Sequence, residues 1–278
     1  MTIAGATHEV EVIPHGPGDM LRHSWVLAKR SLVKTWRTPE GLIDVTLSPI
    51  MFTLLFAYIF GGAISGSVQD YLPLLVTGII GQNIAFASVG IGIQLNADME
   101  KGIFDRFRSL PISRVAPLFG AVLGDVVRYV LLIGIMVGTG YALGFRIGTS
   151  IWHFLGGMAL AILFALCLAW GPMLIGLMAR SQRAVQGIVF MTLFPLTFAS
   201  NAFVPTESMP SWLAAFANAN PLSHLVEALR ALWNDPALGP VAANDGNWQS
   251  PVAWTLLWCA IFVAVFAPLA IRAYNRKA

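Results

Sequence analysis

This sequence is poor in charge, in lysine and in cysteine, and each shortage removes a class of protein. Asp, Glu, Lys and Arg make up 11% of the 278 residues, while 56% are hydrophobic. Soluble domains carry about a quarter of their residues as charges, so most of this surface must face lipid. The two cysteines, Cys167 and Cys259, lie inside long apolar runs, which argues against a disulfide framework or a zinc site and for small apolar core residues. The lysines are 29, 34, 101 and 277, and none ends a G-x-x-x-x-G-K-[ST] phosphate loop, so the chain does not hydrolyse ATP by that route. There is no H-E-x-x-H metal motif, and the histidines at 8, 15, 23, 153 and 224 are scattered. No bound cofactor or metal is expected. A net charge of +3 does not imply a nucleic-acid partner. Residues 1–40 hold several charges and no apolar core, so no signal peptide is expected and the first apolar run should remain as an anchor.

Charge is nearly missing from the apolar runs as well. A carboxylate or lysine at mid-bilayer costs about 2.5–3.5 kcal/mol on insertion scales, so ion-coupled machines keep one only for a purpose. Asp44 and Asp125 fall near the inner interface, and this scarcity argues against an ion-coupled pump.

What is abundant is apolar length. A helix crosses the hydrocarbon with about 20 apolar residues. Stretches 45–69, 71–97, 147–179, 184–206 and 246–271 carry no Asp, Glu, Lys or Arg. A sixth, 115–145, is interrupted by Asp125 and Arg128, whose spacing of three lets them pair on one helix face. An all-α membrane protein with six transmembrane helices is expected, at about 43–62, 71–96, 117–145, 151–178, 184–203 and 250–271, within a transmembrane domain at 42–271. With the N-terminus inside, the cytoplasmic segments hold Arg22, Lys29, Arg30, Lys34, Arg37, Lys101, Arg106, Arg108, Arg114, Arg180, Arg183, Arg272, Arg276 and Lys277. The external segments hold only Arg146 and Arg230. By the positive-inside rule both ends are cytoplasmic, in a plasma or inner membrane. Trp152, Trp212, Trp233, Trp248 and Trp254 then fall at the outer interface.

Three further segments stand out. Residues 1–19 read as a disordered cytoplasmic tail and 272–278 as a second tail. Over 20–38, Leu21, Trp25, Ala28, Leu32 and Trp36 recur every three or four residues, giving a basic amphipathic helix on the inner surface. Before the last span, Asn220 and Pro221 form a helix start. There Leu222, Leu225, Val226, Leu229, Leu232 and Trp233 make an apolar stripe, and Ser223, Glu227, Arg230 and Asn234 a polar one. With 208–217 this predicts an external helical hairpin dipping into the outer leaflet.

The loop 98–114 mixes charge with Phe104, Phe107 and Leu110 at intervals of three, the mark of a partner site. It contains Glu100-Lys101-Gly102-Ile103-Phe104-Asp105-Arg106-Phe107 and then Leu110-Pro111-Ile112-Ser113-Arg114. Further on come Phe203-Val204-Pro205, Met209-Pro210-Ser211-Trp212-Leu213, Asn220-Pro221-Leu222-Ser223-His224 and Glu227-Ala228-Leu229-Arg230. In these blocks, and in their order, the chain resembles the permease subunit of an ATP-binding-cassette exporter of the second class (ABC-2 type), of the daunorubicin-resistance-like kind.

The resemblance implies a homodimer working with a separate ATPase subunit, which would bind ATP and Mg2+. It implies that Glu100, Lys101, Gly102, Ile103, Phe104, Asp105, Arg106, Phe107 and Arg108 form a cytoplasmic coupling helix docking on that subunit, with 20–38 as the connecting helix. Ile103 departs from the family's Thr or Ser at that position. Pro205, Pro210, Trp212, Asn220, Pro221, Glu227 and Arg230 would belong to the family's external hairpin. Spans one, two and five would line the path.

The residues themselves are compatible with such a path. Asn83, Phe86, Gly90 and Gln94 share a stripe of span two, and Gln186, Phe190, Phe194 and Phe198 are spaced in fours along span five. Aromatics edged with amides suit an amphiphilic drug, lipid or glycolipid, although ordinary helix packing gives the same spacing. In span three, Gly120/Gly124, Gly134/Gly138 and Gly140/Gly144 predict close backbone approach. The expected function is an ATP-driven export permease. The rivals are an ion-coupled transporter relying on Asp44 or Asp125, a non-transporting scaffold and, within the same class, a polysaccharide exporter.

Overall fold

The computed structural model describes residues 39–103, 116–234 and 249–277. The expected tail and amphipathic helix before residue 39, the residues Phe104, Asp105, Arg106, Phe107 and Arg108, and Trp248 lie outside the described residues. Regular structure in the described residues is helical throughout: α1 (Pro39–Ser65), α2 (Val68–Ala87), α3 (Val89–Glu100), α4 (Ala116–Gly124), α5 (Val126–Leu143), α6 (Ile151–Leu168), α7 (Trp170–Met178), α8 (Gln182–Phe198), α9 (Ser211–Ala219), α10 (Pro221–Trp233) and α11 (Gln249–Lys277).

Among the described residues, four stretches are long and apolar enough to cross a membrane: Val68–Glu100, Pro117–Leu143, Ile151–Met178 and Gln249–Arg276. The first and fifth expected spans are α1, with Pro49–Ser65 as its apolar part, and α8, which has 17 residues. Local chemistry sets several ends. Ser67 caps α2 by accepting from the Asp70 N–H at 3.1 Å. Ser181 caps α8 in the same way through the Ala184 N–H. Gly144, at φ 112°, closes α5 in the left-handed conformation while the Phe145 N–H reaches the Gly140 carbonyl at 2.8 Å.

Three of the long stretches are broken inside. The Ser88 hydroxyl bonds back to the Ala85 carbonyl at 2.6 Å, a contact that bends helices, and separates α2 from α3. Asp125 separates α4 from α5, and its N–H reaches only three residues back, to Val122. Ala169 separates α6 from α7, just before Pro172, which has no N–H to continue the ladder. The core divides along with these breaks. A larger cluster joins α2, α5, α6, α8 and α10. A smaller one joins α3, α4, α7 and the end of α11 through Ile91, Leu95, Leu118, Trp170, Met173, Leu177 and Tyr274.

Close backbone approach occurs away from Gly134, Gly138, Gly140 and Gly144 of span three. A Cβ on Gly134 or Gly138 would meet nothing among the described residues, and one on Gly140 would meet only side chains, of Val76 and Phe145. The tight positions are Gly78, where a Cβ would overlap the Ala202 carbonyl, and the pair Gly92 and Gly176, where each would overlap a carbonyl of the facing helix. A small-residue spacing marks where approach is possible; what lies across decides where it happens.

The hairpin departs from expectation too. Asn220 does cap α10, accepting from the Leu222 N–H at 2.9 Å, with Pro221 first in the helix. The polar stripe, however, is inside the protein. Ser223, Arg230 and Asn234 are buried, and Arg230 is 7% exposed. Trp233, expected at the interface, is fully buried and donates from Nε1 to the Phe154 carbonyl at 3.1 Å. Trp212 is exposed, and Trp254 is exposed and stacked on His224.

Candidate functional site

α8 buries a single stripe, Val185, Val189, Leu193 and Thr197. The stripe of Gln186, Phe190, Phe194 and Phe198, one position on, therefore faces away from that packing. It meets a cavity of about 540 Å³ walled by Pro49 and Phe52 of α1, Gln82, Asn83 and Phe86 of α2, Gly90 and Ile93 of α3, and Arg128 and Leu132 of α5. The structure thus brings Asn83, Phe86, Gln186, Phe190, Phe194 and Phe198 around one space. Gln94 does not line it; Ile93 does. The wall residues Asn83, Phe86, Gly90 and Ile93 follow one another at intervals of three and four, and Gln94 falls just off this stripe.

The walls are aromatic and interlocked. Phe86 and Phe190 have ring centroids 5.1 Å apart, Phe194 stacks on Phe198 at 4.4 Å, and Phe198, Phe203 and Phe56 continue the row at 5.6 and 4.8 Å. The polar groups are few. The Asn83 amide donates to the Ile79 carbonyl at 2.9 Å. Arg128 pairs with Asp125 at 2.7 Å and donates to the Ala87 carbonyl, which the break at Ser88 exposes. Sequence reasoning missed Phe52, Gln82 and Arg128 as wall residues. The signal for Arg128 was its charge within a span, which marks function more often than packing.

α3 connects this cavity to the loop that follows it. Asn96 is 3% exposed and spends both amide hydrogens on the last turn of α7, on Gly176 at 2.9 Å and Ala179 at 3.0 Å. Those carbonyls have no partner within their own helix. Gln182, first in α8, donates to Glu100, last in α3, at 2.9 Å. With Gly92 against Gly176, α3 grips the α7–α8 corner at three levels. Lys101 is exposed, Gly102 turns the chain at φ 66°, and Ile103 follows. The glycine of the motif therefore sits where the helix ends in the left-handed conformation.

At the other end of the cavity α8 stops at Phe198, short of the expected 203. The carbonyls that the helix end leaves without partners find a side chain: Asn220 donates to Leu196 at 2.7 Å and to Ala199 at 3.1 Å. The segment after it is held by Arg230, whose Nη2 donates to the carbonyls of Asn201 at 2.7 Å and Leu74 at 3.2 Å. Asn201 also donates to Glu227 at 2.6 Å, and Tyr71 to the Phe203 carbonyl at 2.9 Å. Pro205 and Pro210 lie on the turn into α9, and Trp212 is in its first turn. Burial pushes the Glu227 carboxyl up, partly offset by Arg230 and the Asn201 bond. Burial brings Arg230 down to about 10 and lowers the His224 imidazole. Among the described residues no group of three or more His, Cys, Asp or Glu is placed to hold a metal.

The family model for the ABC-2 type transporter matches residues 22–233. The chain is similar to the daunorubicin resistance ABC transporter permease protein DrrB1 of Streptomyces coeruleorubidus, 38% identical over 257 residues that cover 92% of this chain and 86% of the relative. It is also similar to the doxorubicin resistance ABC transporter permease protein DrrB of Mycobacterium tuberculosis (strain H37Rv), 29% identical over 257 residues covering 88% and 86%.

Proposed function

The chain belongs to the ABC-2 type transporter family, and we propose that it is the membrane-spanning permease subunit of an ATP-driven exporter of amphiphilic drugs, lipids or glycolipids. It is a multi-pass membrane protein. The cavity between α2 and α8 carries the functional reading. An aromatic space of drug size, edged with amides, suits an amphiphile taken from the bilayer.

In this proposal α1 and α8 complete six spans, both termini lie in the cytoplasm of a plasma or inner membrane, and a second copy covers the open faces of α1 and α8. Met191 on α8 is 82% exposed, and Met51, Leu55 and Ile59 on α1 are exposed beside the cavity. A separate ATPase subunit binds ATP and Mg2+ and receives the loop from Glu100 to Arg108. Its closure pushes α3. Because α3 grips the α7–α8 corner, the push moves the Phe190 and Phe194 wall against the Phe86 wall. The breaks at Ser88 and Ala169 let this half of the bundle turn while the larger core stays packed, a rigid-body switch between arrangements. An ion-coupled mechanism is less well supported, since Asp125 is engaged by Arg128.

The test is co-reconstitution with the candidate ATPase subunit in lipid vesicles, measuring ATP hydrolysis and efflux of an anthracycline. ATP-dependent efflux is expected, and Phe104→Asp or Asp105→Arg should abolish it while the protein still folds. Efflux that follows a proton gradient without ATP would overturn the proposal.

A further inference from the structure

We propose that the cavity selects aromatic amphiphiles by their acceptor oxygens, carbonyl or hydroxyl, and that Arg128 is the residue that reads them, while a substrate's amine is not read by charge. This deepens the transporter reading above and rests on it.

The chemistry of the wall is lopsided. Arg128 is a donor only, and its side chain is 19% exposed where it meets the cavity. Its Nη2 is occupied by Asp125 and the Ala87 carbonyl, which fixes the plane of the guanidinium. Its Nη1 makes no hydrogen bond among the described residues, and Gly90 leaves it room: a Cβ there would lie 2.8 Å from that nitrogen. The amides of Gln82 and Gln186 also line the cavity and have no partner among the described residues. Asn83 has spent one of its two amide N–H groups on Ile79. The donors on offer are thus Arg128, the amides of Gln82 and Gln186 and the second N–H of Asn83.

Among the described residues no carboxylate lines the cavity to answer a cation. Asp125 is not on its wall, and its Oδ2 is taken by Arg128. An ammonium brought against the guanidinium would be repelled, more so in a medium of low dielectric constant. Because the Asp125–Arg128 pair is neutral overall, a neutral carbonyl is accepted as well as an anion, and a charged donor makes the stronger bond to either. Phe86, Phe190 and Phe194 supply faces for the rings that carry those oxygens.

Binding to the purified chain in lipid nanodiscs tests this with three fluorescent probes. Daunorubicin has ring oxygens and an amine, its N-acetyl derivative keeps the oxygens without the charge, and 9-aminoacridine is a ring cation without oxygens. Daunorubicin and its N-acetyl form should bind within about threefold of each other, and the acridine about tenfold more weakly or worse, the loss of a hydrogen bond to a charged group. The double variant Asp125→Asn with Arg128→Met removes both charges, so no buried carboxylate is left alone. It should lose about tenfold or more for the two oxygen-bearing probes and nothing for the acridine. The probe comparison on the unaltered chain stands even if that variant does not fold. A tenfold loss on N-acetylation, equal binding of all three, binding of none, or a folded variant that binds as the parent does would each overturn the inference. A chain that binds as expected yet exports nothing with its ATPase subunit would overturn the transporter reading and leave the site standing.

Discussion

The two ends of this bundle hold together by different means. In the larger core, side chains reach across to main-chain carbonyls of other elements: Arg230 to Asn201 and Leu74, Asn220 to Leu196, Tyr71 to Phe203 and Trp233 to Phe154. In the smaller core, backbone lies on backbone, Gly92 against Gly176, with Asn96 as the tie. The first arrangement is a web with many anchors. The second is a smooth contact that lets two helices travel together. The cavity lies where the two meet, with Arg128 at the break between them.

The largest break should come from the web. Arg230→Met leaves the carbonyls of Leu74, Asn201 and Ala202 and the Glu227 carboxyl without their cation, a loss of at least about 3 kcal/mol. Thermal unfolding in detergent should show a drop of many degrees, with Arg230→Lys between the variant and the parent. If Arg230→Met melted like the parent, the web would not be what holds this end.

Next comes the smooth contact. Gly92→Leu forces α3 off α7 and should cost about 1–3 kcal/mol by overpacking. Hydrogen exchange should speed up in α3 and α7 and stay unchanged around Thr77–Ile84. Gly134→Leu, in open space, is the control and should do nothing to the single chain. An equal effect of both glycine variants would erase the distinction between the two ends.

A smaller effect is expected from Asn96→Ala, about 1 kcal/mol for each of two lost bonds. Its signature is functional. In the complex with the ATPase subunit, hydrolysis should continue while efflux falls, because the push no longer reaches α8. Loss of both together would mean Asn96 is only structural.

The smallest effect is one of sign, in the hairpin. Glu227 is raised by burial, so the folded state holds its proton longer than the unfolded chain, and stability falls as pH climbs above the ordinary 4.5. His224 is lowered by burial, so the unfolded chain takes a proton first, and stability falls as pH drops below 6.5. Between these values the two slopes oppose. His224→Phe, which keeps the stack on Trp254, should leave only the Glu227 slope, with melting temperature falling as pH rises. A melting temperature that still fell toward acid in this variant would place the acid sensitivity elsewhere.

Much of the site was legible in the sequence, for a local reason. Gln186, Phe190, Phe194 and Phe198 lie on one helix whose i, i+4 spacing needs no partner to be seen, and Asn83 and Phe86 share the unbroken part of span two. Gln94 was misplaced because steps of three and of four from Gly90 are both helical, and only the packing decides that Ile93 takes the wall. Arg230 was read as outward-facing because an amphipathic period cannot tell water from a row of carbonyls, and Trp233 was set at the outer interface because topology gives depth and not burial. The glycines of span three were marked by a local spacing, while Gly92 and Gly176 carry no such pair of glycines and were not marked.

Hydropathy and helical period are properties of neighbouring residues, and they determined by themselves the helical membrane class, the Asn220–Pro221 start and the aromatic stripe. Which glycine meets a backbone, which arginine is buried and which wall faces the cavity depend on residues far away in the chain. Leu74 and Arg230 meet only because α2 and α10 pack together, and Asn96 reaches Ala179 only because α3 and α7 do. A buried polar group must find its partner wherever the fold supplies one, and that choice was made by the tertiary structure alone.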